Sequence, residues 1–250
     1  MKLIVCIAIF FLCSFNGYAQ EKAIIFKNVN VVDVVEGNIR KGQDVVIKEG
    51  IIQAIGKNVG TGVSGEVKDL TGMYMMPGLI DAHVHIANDP KESQEDRAKH
   101  LEYFLRHGVT SIRDAAGDAR VLQELKEGVQ QGKYLGPDIY YAAFMAGPAY
   151  FEGNDREKSM VEGWPEPYAP WMQCIRPDTD LDKAMEGVKE WGCTGVKIYG
   201  GFDRETLLPL VRKAKEYGLQ VWGHATLFPA KPWDVADAGI QVISHAYMLE

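Results

Sequence analysis

The sequence predicts an α/β protein: a (β/α)8 TIM-like barrel, of which strands one to six are present, with a small N-terminal β-sandwich part. Three observations carry this reading. Residues 22–57 are β-like throughout. After Met75, strand-like and helix-like runs alternate, the signature of βα repeats on a parallel sheet. The strand-like runs also end near polar side chains of chemical interest, as barrel strands do at their C-terminal ends. The expected division is a leader over 1–19, the β-sandwich portion over 20–74 and the partial barrel over 75–250.

The 250 residues are 46% hydrophobic and 24% charged, with a formal net charge of −7. That is an ordinary globular composition, with apolar residues enough for a large core. The acidic balance and the lack of a basic stripe argue against nucleic acid as a partner. Lys2, the apolar run Leu3 to Leu12 and the small residues Gly17 and Ala19 form the pattern of a Sec-type signal peptide cleaved after Ala19. The apolar run is too short to span a bilayer. The expected location is therefore periplasmic or secreted, with no membrane association after cleavage. Cys6 and Cys13 leave with the leader. Cys174 and Cys193 remain, either as an export-compatible disulfide or as two buried thiols; spacing alone does not choose.

In the first part, Ile24-Ile25-Phe26 and Val29 to Val35 are rich in β-branched residues. Gln43 to Lys48 then turns at Glu49-Gly50 into Ile51 to Gly56, a hairpin pattern. In the second part the strands are expected at Leu79–Ile86, Val109–Asp114, Ile139–Ala143, Gly195–Tyr199, Leu219–His224 and Ile240–His245. Helices are expected around Arg97–Arg106, around Val121–Val129, from Thr179 or Asp180 to Gly192, and over Thr206–Tyr217 with Pro209 in the first turn. A Pro-, Gly- and aromatic-rich segment spans 147–177. A whole barrel needs about 250 residues, whereas 176 run from Met75 to Glu250. Two strands are therefore unaccounted for.

Asp81-Ala82-His83-Val84-His85 carries the chemistry. Two histidines spaced i, i+2 on a strand share a face, about 6–7 Å apart along the chain. One metal ion bound through nitrogen at about 2.0–2.1 Å can bridge them if the strand end relaxes. Asp81 lies one period back on that face. His224 and His245 fall at the ends of the fifth and sixth strands, so four of the six histidines occupy equivalent positions. His100 and His107 sit seven apart on an amphipathic helix and read as solvated residues. Lys197 lies between Val196 and Ile198, so alternation turns it towards the barrel interior. A buried lysine there is costly unless paired, for instance with Asp81, or chemically altered.

Asp81-x-His83-x-His85, Lys197, Gly223-His224-Ala225 and Ser244-His245-Ala246 together resemble the amidohydrolase superfamily, especially its secreted imidazolonepropionase-like and prolidase-like members. Gly108 to Asp114 is similar to a segment common in that group. The resemblance runs from about Lys22 to the C-terminus. It implies a hydrolase with two divalent ions, zinc by expectation. His83 and His85 would hold one ion, His224 and His245 the other, and Lys197, as a CO2-derived carbamate, would bridge them. A bridging water of lowered pKa would attack a carbonyl carbon. The family's metal-binding, proton-accepting aspartate of strand eight would lie beyond Glu250, so no catalytic acid or base is assigned within the chain.

The implied reaction is cleavage of an amide or cyclic amide C–N bond in a small, dipeptide- or lactam-like substrate. Tyr199 shares the face of Lys197 and is either a substrate-carbonyl donor or a core tyrosine. Tyr150, Phe151, Trp164, Tyr168 and Trp171 either line an aromatic substrate pocket or anchor the long loop. Phe144 to Pro148 does not match the His-bearing loop of many prolidase-like relatives. Two other readings stand beside this one: a mononuclear-zinc deaminase of the same superfamily that does not use Lys197, and an inactive fragment lacking the strand-eight aspartate. The expected partner is a small-molecule substrate, and homo-oligomerisation is left open.

Overall fold

The computed structural model describes residues 22–152, 160–164 and 169–245. The leader expected over 1–19 and Tyr168 lie outside the described residues. The chain divides into two compact units between Pro77 and Gly78.

The first unit is a five-stranded sheet. β1 (Ala23–Asp33) lies at its centre, antiparallel to β2 (Asn38–Lys48), which pairs in turn with β3 (Ile51–Gly56). The β2–β3 loop is the two-residue Glu49-Gly50, with φ of 52° and 73°. Positive φ at both positions matches the twist of the flanking strands, and glycine adopts it without strain. β4 (Gly65–Asp69) and β5 (Tyr74–Met75), which the sequence pattern did not reveal, both run parallel to β1. A Cβ on Gly65 would lie 2.1 Å from the Ala23 carbonyl oxygen, so only glycine lets these backbones approach. Ala23, Ile25 and Val46 form this unit's small core.

The second unit repeats strand and helix. Its elements are β6 (Leu79–Val84), α1 (Gln94–Arg106), β7 (Val109–Asp114), α2 (Ala119–Gln130), β8 (Asp138–Ala146), α3 (Pro148–Glu152) and β9 (Met172–Cys174). There follow α4 (Leu181–Glu190), β10 (Gly195–Ile198), α5 (Arg204–Glu216), β11 (Gln220–His224), α6 (Pro232–Ala238) and β12 (Val242–Ser244). The strands form one parallel sheet in the order β12-β11-β10-β8-β7-β6, with β9 beside β8. This is the α/β order expected of a partial (β/α) barrel. Ser93, Asp118, Asp180 and Asp203 cap α1, α2, α4 and α5 by accepting a backbone N–H of the first turn. Leu122, Leu125, Leu207, Leu210 and Val211 on the helices and Ile112, Ile139, Val196, Ile198 and Val221 on the strands are buried in one core.

Some boundaries depart from the sequence reading. The Asp203 carboxylate caps Thr206, so α5 begins at Arg204 and Pro209 falls in its second turn rather than its first. α3, β9 and α6 went unread because each is too short to show a period. Cys174 and Cys193 are both buried thiols. No described helix is long and apolar enough to cross a membrane.

Candidate active site

Parallel strands deliver their terminal residues to one rim of the sheet, and four histidines meet there. His83 lies within β6 and His85 one residue beyond it; His224 ends β11 and His245 follows β12. The rings of His83 and His85 are 5.2 Å apart, those of His83 and His245 4.8 Å, and those of His224 and His245 5.1 Å. Two imidazoles on one tetrahedral ion have centroids roughly 5 Å apart, given nitrogen–metal bonds of about 2 Å. His245 holds a left-handed φ of 62°, a conformation uncommon for a residue other than glycine but one in which histidine is enriched.

Local contacts orient these rings. The His224 Nδ1–H donates to the Tyr199 carbonyl at 3.1 Å, which leaves a lone pair on Nε2. Asn88 Nδ2 lies 3.2 Å from His85 Nδ1. The Asp81 carboxylate accepts the His83 backbone N–H at 3.1 Å and steadies the strand end. Burial, followed by the nearby Lys197 cation, lowers His83 to about 4 and His224 to about 4. Burial and Lys197 also lower His245. These three rings are therefore neutral at physiological pH, the state in which imidazole binds a metal.

Lys197 is fully buried at the centre of β10, as alternation predicts. Its Nζ donates to Ser244 Oγ at 2.7 Å, and among the described residues not to Asp81 or any other acid. Burial first, and the Arg113 guanidinium second, lower its amine to about 8.

Arg113 escaped the sequence reading, although the alternation that turns Lys197 inward also sets Arg113 opposite the buried Ile112. Its guanidinium stacks 4.2 Å over the Trp222 ring, and its buried Nε has no hydrogen-bond partner. Asp114 and Ser244 entered the sequence reading only as members of motifs, without roles of their own.

Whether this site suits metal ions can be tested on its own atoms. Among the described residues no three or more His, Cys, Asp or Glu side chains are arranged so that they could hold an ion as they stand. The donor set nonetheless fits. His83 Nε2 is buried without a partner, a costly state for a polar nitrogen unless something outside the described protein atoms satisfies it. His224 presents Nε2 with Nδ1 already fixed by a backbone carbonyl, the arrangement common behind metal-binding histidines.

The expected substrate-facing aromatics divide. Tyr150 and Tyr199 line a cavity of about 130 Å³ beside His85. Trp164 and Trp171 instead join Trp191 in an edge-to-face cluster with centroids 4.6–6.3 Å apart, and Trp171 Nε1 donates to the Met160 carbonyl. They anchor the segment. The Tyr199 hydroxyl is engaged with the Ala115 carbonyl at 3.3 Å, so what Tyr199 offers the cavity is its ring. His100 pairs with Glu92 and His107 packs on Tyr103, both away from the cluster.

A parallel βα sheet with a histidine cluster at the strand ends and a buried lysine beside it defines a partial (β/α) barrel with a candidate site at one rim. Residues 74–249 match the model of the amidohydrolase family, and the chain belongs to that family. It is 35% identical over 89 residues to a dihydroorotase of Trichlorobacter lovleyi, covering 36% of this chain and 21% of that protein. It is likewise 35% identical over 94 residues to an adenine deaminase of Listeria welshimeri, covering 37% and 15%. A solved Xaa-Pro dipeptidase with bound methionine superposes with a TM-score of 0.71 at 21% identity, over 92% of this chain and 63% of that one; this likeness is one of fold. The chain thus matches about a fifth or less of these curated relatives' length and under two thirds of the solved structure.

Proposed function

We propose that the protein hydrolyses an amide or cyclic amide C–N bond in a small, dipeptide- or lactam-like substrate, using two divalent ions, zinc by preference. The reading rests on family membership. The observation that carries it to this site is the convergence of His83, His85, His224 and His245 around the buried Lys197.

His83 and His85 would hold one ion and His224 and His245 the other, with Lys197 between them. A lysine can serve there only without its charge. An amine lowered to about 8 is partly neutral at physiological pH. Its addition to CO2, with loss of one proton, gives an anionic carbamate and removes the cation beside three imidazoles. Bound ions supply Lewis acidity towards a carbonyl group and towards water.

The chain's own groups position these parts. The Tyr199 carbonyl fixes the His224 tautomer, and Asp81 fixes the backbone of His83. A half-turn of the Asn88 carboxamide would let its oxygen, now buried without a partner, accept His85 Nδ1–H and free Nε2 for a metal. Export with removal of residues 1–19 belongs to the same proposal.

The test is amine release from N-acyl amino acids and small lactams, before and after chelation. Turnover should vanish on chelation, return with zinc and fall at least about 100-fold in His83→Ala. Turnover indifferent to the chelator, or absent from zinc-loaded protein, contradicts the proposal. One observation favours a second reading: Lys197 Nζ is engaged by Ser244, which suits a mononuclear deaminase that leaves the lysine out. Ammonia release from an amino-heterocycle, unchanged in Lys197→Ala, would select it.

A further inference from the structure

We infer that the substrate carries a compact, uncharged apolar group, the size of one phenyl ring or a short branched alkyl chain, which seats in the cavity beside His85. The inference rests on the hydrolase reading above and adds the class of substrate to it.

The cavity measures about 130 Å³. A dry protein cavity of about 150 Å³ is known to take up benzene, so the size of this one suits a single ring better than two fused rings. Its walls are Phe144, Tyr150, Tyr199, Met160 and Ala116, with His85 and Asn88 at its polar edge. None of these described lining residues is acidic or carries a permanent positive charge. A carboxylate or ammonium seated against these walls would give up hydration with no charged side chain of the lining to pair with, a cost, whereas an apolar group gains from leaving water.

The walls are preformed. Phe144 and Tyr199 stack with centroids 4.2 Å apart and planes 25° apart, and Tyr150 closes on both at 5.3 Å and 5.8 Å. The Ala115 carbonyl holds the Tyr199 hydroxyl. Ala116 adopts a φ of 89°, a strained conformation for a residue with a Cβ. Asp114, accepting the Ile86 and Gly117 N–H groups at 2.7 Å each, pins the turn that imposes it. The strained turn presents only a methyl group to the cavity. Because His85 belongs both to the cavity and to the histidine cluster, a group seated in the cavity sets the bond next to it at the cluster's edge.

Binding can be read without turnover, by ligand-observed ¹⁹F NMR on the full chain. The probes are 4-fluorophenylacetamide, a fluoronaphthylacetamide and a fluorinated succinamate. The phenyl probe should bind roughly tenfold or more tightly than either of the others. Tyr150→Ala should admit the naphthyl probe, and Ala116→Gly should keep the phenyl probe bound. Equal affinity for all three probes, preference for the succinamate, or no binding at all overturns the inference, and the wild-type comparison does not depend on either variant folding. Turnover separates the two ideas. If the phenyl probe binds selectively but no amide is hydrolysed, the cavity stands and the hydrolase reading falls. If amides are hydrolysed with no preference for a compact apolar group, the hydrolase reading stands and the cavity falls.

Discussion

Asp114 shows how much one side chain organises at the rim. It ends β7, is completely buried, and accepts backbone N–H groups from Ile86 and Gly117, tying the loops after β6 and β7 together. Asp114→Ala leaves those donors buried and unmet, so it should cost roughly 1–3 kcal/mol, measurable by urea denaturation. Burial pushes the Asp114 carboxyl up to about 7, against the lowering effect of the backbone N–H groups of Ile86, Gly117 and Ala87. The folded state therefore holds this proton more tightly than the unfolded chain, whose carboxyl titrates near 3.8. This stabilisation is complete below about pH 4 and is lost as pH rises through about 7. In Asp114→Asn that component of the stability–pH curve should disappear; an unchanged curve would contradict it. The importance of Asp114 could not be read from sequence, because its role lies in backbone groups 28 and 3 residues away. The inward direction of Lys197 could be read, since alternation within a short strand fixes it. Arg113 was open to the same reasoning.

At the scale of elements, legibility followed locality. β7 runs from Val109 to Asp114 as its β-branched composition indicates, after Gly108 with its φ of 83°. The Glu49-Gly50 hairpin is equally local. β9 has three residues and exists through its pairing with Phe144 to Ala146 of β8, a non-local cause that no window of sequence shows. In α5 the Asp203 cap sets the start, so Pro209 sits where a helix wants an N–H for the Glu205 carbonyl. Proline in a helix interior costs about 3 kcal/mol relative to alanine, and Pro209 is exposed, so little packing depends on it. Pro209→Ala should therefore stabilise the protein by roughly 1–3 kcal/mol. No rise in its thermal midpoint would show that the second turn is already relieved by distortion.

At the scale of the molecule, β6 and β12 are the edges of the described parallel sheet. Leu79 and Ile80 on β6 are 51% and 70% exposed, and Ile243 on β12 is 41% exposed. Apolar edge strands with unpaired backbone groups template association. The 250-residue chain, purified alone, should self-associate in sedimentation velocity experiments, and Ile80→Lys should reduce that association; a clean monomer at all concentrations would contradict this. The family and the histidine cluster were legible because the cluster's members sit in short local motifs at strand ends. The small cavity beside His85 was not, because its walls come from segments as distant as Ala116 and Tyr199.

The proposal made for this site is that His83, His85, Lys197, His224 and His245 together hold two metal ions. Its most direct test is zinc content per chain, measured by mass spectrometry of protein prepared with zinc and bicarbonate, alongside Lys197→Ala prepared identically. The expected result is about two zinc ions in the wild type and about one in the variant. One ion in both, or none in either, would contradict it.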